Sequence, residues 1–154
     1  MLRPFIAVCL LFFMYGCQSP ERNLPYPLTV TEDGLGAIHA DTPMDLIQSK
    51  LSGFSFEKLS RITPEHPEII VQLKRGSNVL AQIVSDRSGK KISAIVIVSP
   101  LITNRHNEGI TGQLRSNIPL TCDENGCFYT DEPSVRYRLD PSDKTIREIT
   151  YQKL

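Results

Sequence analysis

The side chains best suited to chemistry are few and scattered along this chain. Its 154 residues include four cysteines and three histidines. Cys9 lies inside an N-terminal apolar run and Cys17 just beyond it, whereas Cys122 and Cys127 bracket the short segment Asp123-Glu124-Asn125-Gly126. Asn-Gly is a strong tight-turn signal, so the chain folds back there and brings the two thiols together. In an oxidising compartment such a pair is joined, and a disulfide closing so short a loop contributes about 2 kcal/mol on the loop-entropy argument. A metal site would need further ligands nearby, and no histidine is close in sequence. His39, His66 and His106 share no spacing of the HExxH kind. The chain has no Gly-x-Ser-x-Gly elbow, phosphate-binding loop or dinucleotide fingerprint, and Gly34-Leu35-Gly36 reads as a turn. The acidic pairs Asp123-Glu124 and Asp131-Glu132 flank the cysteine turn, where they are solvated or offer an acidic face to a basic partner protein. No catalytic residue, metal or cofactor is assigned on these grounds. An enzyme of unknown class would have to assemble its centre from residues distant in sequence.

The location of the chain is written more clearly than its chemistry. Arg3 precedes 11 apolar residues, Phe5 to Tyr15, and then Gly16 and Cys17. That run is too short for a membrane span of roughly 20 residues but fits the hydrophobic region of a secretory signal. Met14-Tyr15-Gly16-Cys17 resembles the lipobox of bacterial lipoproteins, in which cleavage follows a small residue and the cysteine is acylated. Residues 1–16 are therefore expected to be a lipoprotein signal peptide and Cys17 the lipid attachment site. At about 0.8 kcal/mol per buried methylene, two or three acyl chains anchor a protein durably. The resemblance implies a bacterial outer-membrane lipid anchor facing the periplasm, because Gln18 rather than aspartate follows the cysteine.

Cleavage after Gly16 leaves 138 of the 154 residues, with 16 basic against 17 acidic side chains. That size fits one domain, and the balance excludes a nucleic-acid footprint, because the basic residues sit beside turns and alternate with acids. Three prolines between Gln18 and Pro27 mark residues 17–27 as an extended tether with a reach of at most about 35 Å.

The remaining segment, 28–154, shows the pattern that must position any site. Leu28 to Thr31 has strand composition, a turn follows at residues 32–36, and a second short extended piece spans Ala37 to His39. Thr42, Pro43 and Asp45 open a short amphipathic helix over Pro43 to Ser52, with Met44, Ile47 and Leu51 on one face. Strand-like runs then cover Phe54–Ile62, Glu68–Lys74, Val79–Ser85, Lys91–Ser99, Leu120–Thr121, Cys127–Thr130, Val135–Leu139 and Thr145–Tyr151, separated by turns. Apolar residues at both parities of Lys91–Ser99 predict a central strand covered on both faces. The expected fold is α+β: a mostly antiparallel meander packed against one short α-helix, in one domain. Pro100 to Pro119 is the least regular stretch and reads either as a connector without a partner or as a contact surface. Asn104, Arg105, His106, Asn107, Glu108, Gly109 and Gly112 are the candidate contact residues.

The order of these features resembles a family of small gammaproteobacterial envelope lipoproteins of unknown function, one enteric member of which is a sigma-E-regulated lipoprotein. The resemblance runs from about Leu28 to Cys127. It rests on Thr31-Glu32-Asp33-Gly34-Leu35-Gly36 ahead of Thr42-Pro43, on Lys74-Arg75-Gly76-Ser77-Asn78-Val79, on Gly89 with Ile92 and Ile95, and on Gly109 and Gly112 ahead of the cysteine pair. The segment from Gly112 to Cys122 is shorter than the family's pattern, and the chain lacks tryptophan. The resemblance implies an envelope role linked to outer-membrane stress.

The sequence thus points to a membrane-tethered periplasmic domain, non-enzymatic, with a binding or accessory role in envelope maintenance. Its expected partners are the membrane, through the acyl chains, and an envelope protein. A second expectation is an inhibitor of a cell-wall hydrolase, such as lysozyme or a rival cell's effector, inserting Pro100–Pro119 or the acidic cysteine hairpin into the target.

Overall fold

A computed structural model describes residues 24–59, 65 and 67–153. The predicted signal peptide, Cys17, most of the tether, His66 and the end of the run Phe54–Ile62 lie outside the described residues. The fold is α+β in one domain, with one short helix and a mostly antiparallel sheet.

Strands β1 (Thr29–Thr31) and β2 (Gly34–Leu35) pair across a tight turn. The large sheet begins with β3 (Ser55–Leu59), β4 (Ile70–Arg75), β5 (Asn78–Ser85) and β6 (Ile92–Ile97). After the short β7 (Thr103–Asn104) come β8 (Leu120–Asp123), β9 (Gly126–Tyr129), β10 (Val135–Leu139) and β11 (Ile146–Gln152). The eight-stranded order is β3-β4-β5-β6-β11-β10-β9-β8, so two meanders join where β6 meets β11. The chain therefore leaves β6 in the middle of the sheet and re-enters at its far edge. On the way it contributes β7, which pairs parallel with β1 in the three-stranded order β2-β1-β7.

Alternation sorts the side chains of the large sheet into two faces. Directly opposed residues share a face, and Tyr137, Ile149, Ile97, Ala81 and Leu73 form one buried row across five strands. A second row holds Val135, Tyr151, Ile95 and Ile83. Val30, Leu35, Ile38, Ile47, Leu51 and Ile102 complete the same core from β1, β2, the helix and the segment after β6. The opposite face carries Arg136, Thr150, Val96, Gln82, Gln72 and Glu57 in register. That row is polar apart from Val96, and the next row on the same face holds Ala94, Val84, Ile70 and Leu59.

The expectation that Lys91–Ser99 is covered on both faces is corrected here. β6 is central, yet only Ile92, Ile95 and Ile97 of its residues are buried, and Val98 beyond it is 42% exposed. A bulge between β5 and β6 pairs Val84 with Ala94 but Ser85 with Ile92. The extra residue reverses the alternation and puts Ile92 on the core side. The shift accounts for Ile92, while Ala94 and Val96 stay half-buried and Val98 exposed on the other side.

The helix also departs from expectation. Pro43 stays extended (φ −59, ψ 134), a 3-10 turn spans Met44–Leu46, and α1 (Ile47–Lys50) is one turn long. Thr42 does not cap it: its hydroxyl accepts the His39 N–H at 3.0 Å, and no side chain bonds the start of the turn. The start is fixed by pairing with β6: Ile92 N–H donates to the Thr42 carbonyl and Met44 N–H to that of Lys90. Ordered packing also begins before Leu28, since Leu24 and Tyr26 lie against the core and Tyr26 meets Phe54 edge-on at 5.4 Å.

The faces differ in how much they hold the fold. Ile97→Ala should lower the unfolding free energy by about 2–5 kcal/mol. Val96→Ala, one residue along and half-buried, should cost under about 1 kcal/mol. Urea denaturation measures both, and equal losses would contradict a one-sided core.

Candidate functional site

The stretch that crosses from β6 to β8 is built around two polar side chains. Asn104, at the end of β7, folds the next residues over itself: its Oδ1 accepts from the backbone N–H groups of His106 and Glu108, each at 2.9 Å. This Asx-type turn is reinforced by a backbone bond from Asn107 N–H to the Asn104 carbonyl. The Asn104 amide then donates to Glu108 Oε2 at 2.7 Å and to the Tyr137 hydroxyl at 2.8 Å. Tyr129 donates its hydroxyl to the Glu108 carboxylate, 2.9 and 2.8 Å from the two oxygens. Arg115 N–H closes the network on Glu108 Oε1 at 2.8 Å and on the Tyr129 oxygen at 2.9 Å.

Burial sets the chemistry of these groups. Asn104 and Glu108 are 2% and 7% exposed, and both tyrosines are fully buried. Desolvation, then the bond to Glu108, pushes the Tyr129 phenol up to about 12. Desolvation raises Tyr137 further. Both hydroxyls therefore keep their protons at neutral pH and act as hydrogen-bond partners. The network is a structural anchor with its donors and acceptors matched.

A second group lies beside it. Arg105 donates to the Asp131 carboxylate, and its Nε is 3.2 Å from Glu132 Oε1 and 3.3 Å from His106 Nε2. The His106 ring packs edge-on against Tyr129 at 4.9 Å. Arg105 holds Asp131 below the usual carboxylate range. Glu132 is different: its side chain is 3% exposed, and Oε2 is buried without a hydrogen-bond partner among the described residues. Burial raises its carboxyl despite the guanidinium. On the same side of the fold, Glu32 accepts from the Ser134 N–H at 2.8 Å and hydroxyl at 2.5 Å.

The candidate contact residues are therefore split by the structure. Asn104 and Glu108 point inward and serve the fold, which corrects their place on a contact surface. Asn107 and Arg105 are exposed, while His106, Gly109 and Gly112 are half-buried. Nor is the stretch a loose connector, because Thr111 N–H donates to the Ile146 carbonyl and Ile146 N–H to that of Gly112. Sequence reasoning missed Tyr129, Tyr137, Arg115 and Glu132 as partners. A readable signal existed in the tyrosines, which fall on inward parities of β9 and β10 and whose buried hydroxyls need partners. His39 stands apart, its Nδ1 2.6 Å from the Ala40 carbonyl oxygen.

The surface that remains open adjoins the cysteine hairpin. Cys122 and Cys127 are directly opposed on β8 and β9 and bonded, with S–S 2.11 Å and Cα–Cα 4.0 Å. Asp123 Oδ1 accepts from Asn125 N–H, so Glu124 and Asn125 form the turn and Gly126 opens β9. Gly126, at φ +127, lies so close to the Tyr137 carbonyl that a Cβ would stand 2.7 Å from its oxygen. Inward positions of β10 and β11 are buried, but Leu120 is 39% exposed, Cys122 is exposed and Cys127 half-buried. The result is an open groove of about 830 Å³ floored by the disulfide and Leu139 and walled by Leu114, Ile118 and Leu120, with Lys144 and Asp143 at the rim. Among the described residues no group of three or more His, Cys, Asp or Glu side chains is placed to hold a metal ion.

The fold is similar to that of the uncharacterized protein YfeY from Escherichia coli, known from a crystal structure, with a TM-score of 0.59 and 15% sequence identity over 83% of this chain and 100% of that one. The likeness is one of fold. No protein-family model matches the chain, and no curated protein does.

Two variants separate the anchor from the rim. Glu108→Ala strands Tyr129, Asn104 and the Arg115 amide without their acceptor and should cost more than about 3 kcal/mol, read from urea unfolding. Glu132 behaves oppositely. Its carboxyl ionises less readily folded than unfolded, so ionisation subtracts from stability as pH rises above the ordinary value of 4.5. Glu132→Gln should match the parent near pH 4 and melt higher than it near pH 8. A difference that is flat or reversed across that range would contradict the raised carboxyl.

Proposed function

We propose that the chain is a membrane-tethered periplasmic lipoprotein whose domain has a non-enzymatic binding or accessory role in the envelope. One observation carries the binding reading: the disulfide hairpin and residues 113–120 frame an apolar groove, while the polar side chains of the neighbouring stretch are committed to the internal network. Apolar lining with a few polar groups at the rim is the usual make-up of a recognition site. The bonded pair Cys122–Cys127 agrees with an oxidising compartment. Among the described residues no helix is long and apolar enough to cross a membrane, which is compatible with attachment through lipid at Cys17.

The similarity in fold to an uncharacterized protein of Escherichia coli is consistent with the small gammaproteobacterial envelope lipoprotein family named above, and the proposal includes outer-membrane placement and a link to envelope stress. Inhibition of a cell-wall hydrolase is the second reading. It is favoured by the acidic side chains Asp123, Glu124 and Asp131 around the hairpin, although Arg136 and Arg105 already neutralise the two aspartates.

Intact-mass analysis of the outer-membrane fraction should show a chain that begins at Cys17 and carries acyl groups, and Cys17→Ser should release the protein from the membrane. An unmodified cysteine, or a Cys17→Ser chain still on the membrane, would remove the anchor. Unchanged hydrolysis by lysozyme and amidases in the presence of the protein would remove the inhibitor reading.

A further inference from the structure

β8 is the last strand of the eight-stranded order, and all four of its residues are exposed. Its hydrogen-bonding phase follows from two contacts. Thr130 N–H donates to the Pro119 carbonyl at 3.1 Å, so Pro119 turns its polar groups toward β9. Cys122 and Cys127 oppose each other at a Cα separation of 4.0 Å, the close spacing of a pair that exchanges no backbone bonds. Between these, Leu120 and Cys122 direct both N–H and C=O away from β9. No described residue accepts from or donates to them.

An open edge is ordinarily guarded by proline or by charge. Here both devices stand at the wrong parity. Pro119 lacks its N–H on the side that faces β9. Asp123 has its carboxylate on Arg136 at 2.5 Å, and Arg136 stacks over Phe128 on the face opposite the groove. The outward positions 120 and 122 carry an aliphatic side chain and a disulfide, and both point into the groove.

We infer that this edge and groove form one site that takes an extended segment of a partner polypeptide as a ninth strand. The segment hydrogen-bonds to the Leu120 and Cys122 backbone and seats apolar side chains two residues apart against Leu120, Ile118, Leu139 and the disulfide. The backbone groups specify an extended peptide, since their spacing matches a strand and not a compact ligand. Directly opposed residues in a sheet share a face, so alternate side chains of the added strand fall over the groove. The inference rests on the binding-domain reading and names the class of partner.

The test uses the 15N-labelled chain with its disulfide intact and a blocked hexapeptide of alternating threonine and leucine. Titration should shift the Leu120 and Cys122 amides and slow their hydrogen exchange. The same peptide N-methylated at the amides that would face β8 should bind at least tenfold more weakly. Leu120→Pro removes an outward N–H that serves no internal bond, so it should keep the disulfide and the remaining spectrum while weakening the unmodified peptide at least tenfold. Three results would overturn the inference: unperturbed amides at millimolar peptide, equal binding of the N-methylated peptide, or the same protection produced by raising protein concentration alone, which would assign the edge to a second copy. Each can occur in a chain that is lipidated and membrane-bound, so failure here is distinct from failure of the tether.

Discussion

A chain that leaves the centre of a sheet and must return at its far edge has to cross one face of that sheet, and this constraint organises the molecule. Residues 98–119 make the crossing on the apolar side. A backbone placed there brings polar groups that need partners. β7 answers part of the requirement by pairing with β1, and the Thr111, Gly112 and Ile146 bonds tie the other end to the start of β11. The middle is held by side chains. Glu108 and Asn104 fold the crossing into a compact turn and engage the hydroxyls of Tyr129 and Tyr137 on the inner face below it. The tyrosines fill volume in the core as phenylalanines would, and their hydroxyls fix where the crossing lies.

Charge is arranged around this anchor with two opposite signs of pH dependence. Asp41, Asp86, Asp123, Asp131 and Asp143 are all held below the ordinary carboxylate range, each by a hydrogen bond from a neighbouring side chain first. Their contributions are present at neutral pH and fade as the carboxylates are protonated. None is buried, so each is small and screened by salt. Glu132 is the exception, because it is buried and its second oxygen has no partner among the described residues. Arg105 bridges the two classes, holding exposed Asp131 and buried Glu132 with one guanidinium.

Much of the sheet was legible because alternation and turn residues are local signals. The runs at Val135–Leu139 and Val79–Ser85 reappear almost unchanged as β10 and β5. What was not legible depended on partners. The bulge opposite Ser85 is a property of two strands, so the sequence of β6 alone reads as two apolar faces. Thr42 has the chemistry of a cap, but its hydroxyl accepts from His39 N–H and no side chain caps the helical turn. In the crossing, Asn104 and Glu108 carry no mark distinguishing them from Arg105 and Asn107, because direction inward or outward is set by β7 and by tyrosines more than 20 residues away in sequence. The disulfide was readable from spacing and a turn dipeptide. The groove over it was not, since it depends on where the covering layer ends.

That ending gives the disulfide a second meaning. Most strands of the large sheet bury side chains in the common core, but β8 buries none. A lone hairpin in water is marginal, and β8 is held without burial, by its pairing with β9 and the ion pair of Asp123 with Arg136. Burial ends at β9, where Tyr129, held under Glu108 and His106, is the last buried inward residue. The covalent bond between Cys122 and Cys127 supplies the order that packing would otherwise supply. It does so on the groove side, so the element that fixes the strand is also the floor of the open surface. Leaving β8 outside the core thus exposes its edge and its apolar inner face together, and an oxidising compartment becomes a condition for the surface to exist in this form.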